Sequence, residues 1–273
     1  MVDPGREYFF GLSRFTFNHT TAAARIEVGP SLTAEIDAGW RWSRFDRSEL
    51  IGFFDYDSRT FRAGLGYALR NDLRVTVSYA YDHIPPPADR PLAESTGHNL
   101  LGTLAGQITA LTSGRVTVGL RNQTNPLGTG GSEKFTGVTF GGTLRRQLGY
   151  SSSLGLQFTR ATNPSAFEGN AYYVNNSITA TLEVPLPLEL SARGTAGFLR
   201  NNYPTIDPSI GVPRRDDIWA WSIGVARHLG WRTWIRADYR REERNSNNPG
   251  FDITTDGFLI QFGIGRVGPG SPR

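Results

Sequence analysis

The sequence contains no cysteine and no run of apolar residues long enough to cross a membrane as a helix. A spanning helix needs roughly 20 consecutive, mostly apolar residues, so a helical membrane protein is excluded. The lack of cysteine excludes disulfides and thiolate metal sites. Lysine is almost absent too, because Lys134 is the one lysine among 29 basic residues. If the protein crosses a membrane, it must do so with strands.

Patterns that bind metals or perform catalysis are also missing. No His-x-x-x-His spacing is present, so we predict no metal ion and no other cofactor. The neighbours Asp82 and His83 could form an acid–base pair, but lone histidines in loops are more often simply solvated. We therefore predict that the protein is not an enzyme.

The formal net charge of +4 does not by itself point to nucleic acid. The arginines occur singly through the chain and are not grouped on a helix or beside stacking aromatics, as they are in nucleic-acid-binding proteins. We predict no nucleic-acid partner.

The sequence does contain an alternation of apolar and polar residues with period two. In residues 73–81, Leu-Arg-Val-Thr-Val-Ser-Tyr-Ala-Tyr, the odd positions are bulky and apolar and the even positions are polar or small. Such alternation predicts β-strands with two chemically different faces. The same pattern recurs in residues 32–42, 61–69, 116–120, 154–158, 178–184, 188–198, 219–225 and 258–264.

Short turn signals and longer polar stretches separate these segments. The predicted tight turns are 29–31, 70–72, 112–114, 149–151, 185–187 and 228–230, and the predicted long loops are 46–55, 83–95, 122–133, 161–170, 200–215 and 243–252. Tight turns at one end and long loops at the other are typical of outer-membrane barrels. Six hairpins, a first strand near 7–17 and a last strand near 254–267 predict about 14 strands, an even number that places both chain ends on the periplasmic side.

The predicted fold is therefore all-β: a transmembrane antiparallel up-and-down β-barrel over residues 6–267. A short N-terminal segment (1–5) precedes it, and a C-terminal tail (268–273) follows it. A soluble propeller or sandwich is the alternative, since both are rich in alternation and turns. Two features favour the barrel: predicted strands of about 10 to 15 residues, against about 5 or 6 in soluble proteins, and a second face that is small and polar.

Charge predicts which face of the barrel meets lipid. An arginine facing lipid near the bilayer midplane costs about 2 to 4 kcal/mol, so the charged face must line the lumen. The predicted basic lining is Arg41, Arg62, Arg74, Arg115, Arg121, Arg145, Arg193, Arg232, Arg236 and Arg240. The predicted acidic lining is Glu35, Asp37, Glu183, Glu189 and Asp238.

Aromatic residues on the apolar face fall near the strand ends. Amphipathic rings favour the membrane interfaces, so this distribution predicts two aromatic girdles. The predicted interface aromatics are Trp40, Trp42, Tyr79, Tyr81, Trp219, Trp221, Trp231 and Tyr239.

The excess of lumen-facing arginine over acid predicts a basic wall that favours anions. Arg232, Arg236 and Arg240 would form a ladder along one strand. The alternative is that the arginines pair with the acids and brace the barrel, as is common in barrel interiors.

Three further arginines, Arg44, Arg160 and Arg241, lie on the lipid face beside the predicted long loops. A guanidinium group can bind phosphate through two parallel hydrogen bonds, so we predict contacts to lipopolysaccharide and outer-membrane lipid. Simple snorkelling of the side chains toward water is the alternative.

Residues 55–67, Asp-Tyr-Asp-Ser-Arg-Thr-Phe-Arg-Ala-Gly-Leu-Gly-Tyr, continue through a turn into the alternating segment 73–81. This hairpin resembles those of outer-membrane β-barrel porins found with exopolysaccharide export systems, and the likeness extends over most of residues 20–266. The resemblance implies location in the outer membrane of a Gram-negative bacterium, transport of anions or of an acidic polysaccharide, and periplasmic export components as partners. A barrel that only anchors a partner is the alternative.

Overall fold

The structure, a computed structural model, describes residues 15–45, 56–85, 94–126, 131–149, 151–165, 170–229 and 233–264. These residues form one antiparallel sheet in which each strand pairs with its neighbours in the sequence, so the predicted up-and-down β architecture is confirmed. The strands are β1 (Phe15–Glu27), β2 (Leu32–Phe45), β3 (Tyr56–Arg70), β4 (Leu73–Ile84), β5 (Ser95–Thr109), β6 (Thr112–Pro126), β7 (Ser132–Leu148), β8 (Ser152–Pro164), β9 (Tyr172–Leu186), β10 (Leu190–Asp207), β11 (Val212–His228), β12 (Thr233–Ser246) and β13 (Ile253–Ile264).

A short 3-10 helix, Pro249–Phe251, lies between β12 and β13. Within the described ranges, no helix has the length and apolar character needed to span a membrane.

The two faces of the sheet differ in polarity, as the alternation predicts. On β11, the side chains of Trp219, Trp221 and Ile223 are exposed on one face, while Ser222 and Gly224 belong to the other. The buried apolar side chains of the described residues are few and lie toward the loop end of the sheet: Ile84, Ala171, Tyr172, Tyr173, Tyr203 and Ile218. A soluble protein buries its large apolar residues, so an exposed apolar face of this extent fits lipid as its solvent.

The six tight turns all join strands at one end of the sheet, as predicted. Two of them were placed wrongly along the sequence. The turn between β5 and β6 lies at residues 110–111, and that between β9 and β10 at 187–189. Leu188 and Glu189 have φ of 63° and 58°. A tight hairpin turn with two positive φ values is usually made by Asn-Gly, so the sequence carries no clear signal for it here.

The strands extend further toward the loop end than predicted. Most of the predicted loop 200–215 is strand, because β10 continues to Asp207 and β11 begins at Val212. Residues 122–126, 132–133, 161–164 and 243–246 of three other predicted loops also belong to strands, whereas 46–55 lies outside the described residues. Polar residues at this end pair through their backbones, so polarity alone was a poor guide to where the strands end.

The described residues contain thirteen strands, not fourteen. The predicted first strand coincides with β1 at residues 15–17, and its remainder lies outside the described residues. The predicted last strand corresponds to β13 over 254–264. Because neighbouring strands are antiparallel, β1 and β13 run in the same direction, and the described sheet is open between them. Closure of the barrel therefore stays a prediction.

Candidate functional site

The polar face of the sheet carries the charged residues that the sequence places in the lumen. Paired positions on neighbouring strands point to the same face, so the register assigns each side chain. Followed from β2 to β12, the register places these residues together: Arg41, Arg62, Arg74, Arg115, Arg121, Arg145, Arg193, Arg236, Arg240, Glu35, Asp37, Glu183 and Asp238. Arg232 lies outside the described residues, and Glu189 lies in the β9–β10 turn rather than on a strand.

Many of these arginines are paired with acids on the same face of the sheet. Near the tight turns, Arg25 Nη2 lies 2.6 Å from Glu35 Oε1, and Arg74 Nη1 lies 3.5 Å from the same oxygen. Arg62 Nε lies 2.7 Å from Asp37 Oδ2. The basic wall is therefore partly neutralised at its turn end.

Arg121 makes the most regular ion pair of the central strands. Its Nη1 and Nη2 atoms each donate to a different oxygen of Asp82 at 2.7 Å, and Asn99 donates to the same carboxylate at 2.9 Å. Asp82 thus lies on the polar face and braces β4 against β6. The neighbouring His83 belongs to the opposite face, so the two residues do not form the acid–base pair that their adjacency suggested.

The ladder on β12 is paired along its own strand. Arg236 Nη2 donates to Asp238 Oδ1 at 2.6 Å, and Arg240 Nη2 donates to Glu242 Oε2 at 2.5 Å. Glu242 lies on β12, two residues from Arg240 and just before the predicted loop 243–252. For these two arginines, the bracing alternative describes the structure better than an unpaired ladder.

A compact group of side chains lies on β10–β12 and the 3-10 helix, and we term it the loop-end cluster: Tyr203, Arg214, Asp216, Ser246 and Phe251. Arg214 Nη2 lies 2.6 Å from Asp216 Oδ2, and both side chains are 0% exposed. The Arg214 guanidinium lies 4.7 Å from the Tyr203 ring centroid and 3.7 Å from that of Phe251. Ser246 Oγ donates to Asp216 Oδ1 at 2.7 Å. The sequence did not reveal this group, because its central residues were assigned to a loop.

A second set of contacts continues this packing toward β7. Glu133 accepts hydrogen bonds from Thr205 Oγ1 at 2.7 Å and from the Ala171 backbone at 2.9 Å. Tyr172 donates to the Lys134 carbonyl at 3.1 Å. The loop end of β7–β12 is therefore held together by polar contacts between strands that are distant in sequence.

The turn end of β1–β6 is hollow by contrast. A cavity of about 340 Å³, termed the turn-end cavity, is lined by five arginines and three acids: Arg25, Arg62, Arg70, Arg74, Arg115, Glu35, Asp37 and Asp72. Small residues such as Gly64 and Ala105 leave the space open. No carboxylate of the described residues lies within ion-pair distance of Arg115. The cavity therefore holds an excess of two positive charges.

The opposite, apolar face carries the predicted interface aromatics. Ring centroids of Trp219 and Phe198 lie 4.6 Å apart, and those of Trp221 and Tyr239 lie 5.3 Å apart. Trp40 and Tyr79 are also exposed on this face, with Trp42 and Tyr81 partly buried beside them. Trp231 lies outside the described residues.

A row of polar contacts follows these aromatics toward the loop end. Arg44 Nη2 lies 2.5 Å from Asp57 Oδ2, Arg200 Nε lies 2.6 Å from Asp217 Oδ1, and Arg241 Nε lies 4.0 Å from Asp256 Oδ1. Arg160 Nη1 donates to Asn176 Oδ1 at 2.6 Å. The apolar band thus gives way to charge where a membrane interface is expected.

The parts of the chain that the structure describes contain no group of three or more His, Cys, Asp or Glu side chains placed to hold a metal ion.

Comparison with known proteins agrees with this arrangement. No curated protein matches the chain. The family model described as "Putative beta-barrel porin 2" matches residues 54–263, which is more than half of the chain and covers β3 to β13 almost completely. The exposed apolar face, the charged opposite face and the up-and-down strands are the features expected of such a protein. The chain belongs to this family of β-barrel porins.

Proposed function

We propose that the protein is a passive channel of the bacterial outer membrane and that its polar face lines the path of the solute. The observation that carries this proposal is the inverted polarity of the sheet, with large apolar side chains exposed on one face and charged side chains gathered on the other. Strands can span a bilayer only within a closed barrel, where every backbone group is paired. Membership of a porin family supports the same function and fits a protein without catalysis.

The channel prefers anions, and the turn-end cavity is the source of the preference. Fixed charges in a confined polar space act on ions with potentials of several kT. Arg236 and Arg240 contribute little, because Asp238 and Glu242 neutralise them. Arg115 has no ion pair among the described residues, and guanidinium groups outnumber carboxylates around it. The electrostatic potential of the cavity is therefore positive.

Reversal potentials in planar bilayers test this proposal. Under a gradient of KCl we expect the wild type to be anion-selective, most clearly at low salt, where the Debye length reaches about 30 Å. R115Q should lower the ratio of chloride to potassium permeability. R146Q is the matched control, because Arg146 belongs to the opposite face near the same end of the sheet. A cation-selective wild type would refute the anion preference.

Acidic polysaccharide is the largest cargo that this proposal includes, and the resemblance to export-associated porins is its support. An acidic polysaccharide that enters the lumen should interrupt the ion current, whereas a neutral polysaccharide of equal length should do so less. Equal interruption by both polymers would argue against an acidic cargo.

A structural barrel that anchors a partner is the second candidate. The loop-end cluster favours it, because buried contacts occupy part of the polar face at that end. Folded protein that enters bilayers without any conductance steps would support this candidate and exclude the channel.

A further inference from the structure

Arg74 and Arg115 lie on either side of one small residue in the turn-end cavity. Arg74 on β4 pairs with Ala105 on β5, and Ala105 in turn pairs with Arg115 on β6. The three residues form one row across the polar face, and the Cα atoms of the two arginines are separated by two strand spacings, about 10 Å. Because Ala105 has only a methyl side chain, the two guanidinium groups border an open gap.

Both arginines have hydrogen-bonding capacity that the surrounding residues do not use. Arg74 Nε is buried and has no hydrogen-bond partner, and its Nη1 contact with Glu35 is long at 3.5 Å. Arg25 holds Glu35 more tightly, with contacts of 3.0 and 2.6 Å to the same oxygen. Arg115 has no ion pair among the described residues. A buried donor without a partner costs free energy, so this gap favours a group that accepts hydrogen bonds and carries negative charge.

Gly66 leaves room for the stem of the Arg74 side chain. A Cβ atom at residue 66 would lie 3.1 Å from Arg74 Cδ and 2.8 Å from Thr33 Oγ1. Either contact is tighter than real Cβ atoms usually make, so a side chain there would push the Arg74 stem away from its present position. Gly66 therefore helps to position the Arg74 side chain, while Ala105 leaves space beside it.

We propose that the turn-end cavity binds a small oxyanion, a phosphate or a carboxylate, between Arg74 and Arg115. This inference rests on the proposed anion channel, for which the cavity is a binding step at the turn end. Guanidinium groups match such anions through parallel charge-assisted hydrogen bonds. The acids in the cavity do not prevent binding, since Glu35, Asp37 and Asp72 each have an arginine partner.

Isothermal titration of the purified protein in detergent tests the site, with inorganic phosphate and succinate as separate probes at low salt. We expect R115Q to weaken binding of the accepted probe about tenfold or more, since a hydrogen bond to a charged group is lost. R115K should bind with intermediate affinity, because lysine keeps the positive charge but lacks the planar guanidinium group that donates two parallel hydrogen bonds. R146Q should bind as the wild type does. Far-UV circular dichroism of each variant confirms the strand content.

The two probes decide the source of the oxyanion. Tighter binding of phosphate assigns the site to phosphoryl groups, and tighter binding of succinate assigns it to carboxylates. Failure of both probes to bind, or equal affinity of the wild type and R115Q for both, would overturn the site.

Conductance separates this inference from the function on which it rests. Anion-selective currents without Arg115-dependent binding would reject the site and retain the channel. Arg115-dependent binding without any conductance would retain the site and reject the channel.

Discussion

The loop end of β10–β12 and the turn end of β1–β6 use the same residue types in opposite ways. In the loop-end cluster, Arg214 and Asp216 are fully buried and matched one to one between aromatic rings. In the turn-end cavity, four arginines share three acids, Arg115 has no ion pair among the described residues, and these side chains remain partly exposed to water. Buried ion pairs hold the strands together, whereas hydrated charges in excess of their counter-charges can act on a solute. The position of an arginine on the polar face is therefore not enough to assign its role.

The largest expected effect comes from removing one partner of the buried pair. R214A leaves the Asp216 carboxylate buried without its cation and should lower the free energy of unfolding by about 3 to 5 kcal/mol. Urea titration followed by tryptophan fluorescence measures this loss. R25A is the control, because Arg25 is 55% exposed in its pair with Glu35 and an exposed pair contributes about 0 to 1 kcal/mol. Equal losses of unfolding free energy in R214A and R25A would show that the buried pair is no more important for stability than the exposed pair.

A somewhat smaller loss is expected at Gly106, which shapes the floor of the turn-end cavity. Gly106 has φ of +132°, and a Cβ there would lie 1.9 Å from the Asp72 carbonyl oxygen. G106A should destabilise the protein by about 1 to 3 kcal/mol through the strained backbone and should also distort the cavity. G102A on the same strand is the control, since the nearest atom to its Cβ, the Val118 carbonyl oxygen, would be 3.9 Å away. If both variants unfold at the same urea concentration, the proposed strain at Gly106 is absent.

The paired arginines of β12 should affect selectivity little. The variant R236Q/D238N/R240Q/E242Q removes two positive and two negative charges together, so the net charge of the polar face does not change. We expect a stability loss of about 1 kcal/mol or less for each partly exposed pair and a nearly unchanged reversal potential. R115Q, which removes one charge, should change the reversal potential more. A larger change in the β12 variant than in R115Q would show that the β12 pairs determine the selectivity.

The smallest expected effect on stability is at the interface on the apolar face. We propose that Arg44, Arg160 and Arg241 contact lipopolysaccharide phosphates at the loop end, although each already has a polar neighbour. The triple glutamine variant should lose a few tenths of a kcal/mol per contact and retain less lipopolysaccharide through purification. R146Q, near the turn end of the same face, should retain the wild-type amount. Unchanged retention in the triple variant would leave simple snorkelling as the role of these side chains.

Much of the architecture could be predicted from the sequence, because the alternation of side chains and the cost of exposing charge to lipid are properties of single residues and their chain neighbours. The segment 73–81 alternates between apolar and polar side chains, and it forms most of β4. The cost of exposing charge to lipid then assigns Arg74 and Arg193 to one face without any knowledge of their neighbours. Strand ends were harder to predict at the loop end, since residues 200–207 are polar yet form part of β10.

The pairing of charges could not be predicted in the same way, because it depends on register. Arg121 meets Asp82 across two strands and 39 positions of sequence. Arg74 likewise meets Glu35 across two strands and 39 positions of sequence.

The sequence by itself thus determined the alternation of faces, the common end of the six turns and the family, since period-two patterning and the desolvation of charge are local properties of the chain. Only the tertiary structure decided which arginines are neutralised. An ion pair requires two side chains to meet at about 3 Å, and for pairs such as Arg121 and Asp82 it is the register of different strands that brings them together. The same register leaves Arg74 and Arg115 facing each other across Ala105 over an open cavity.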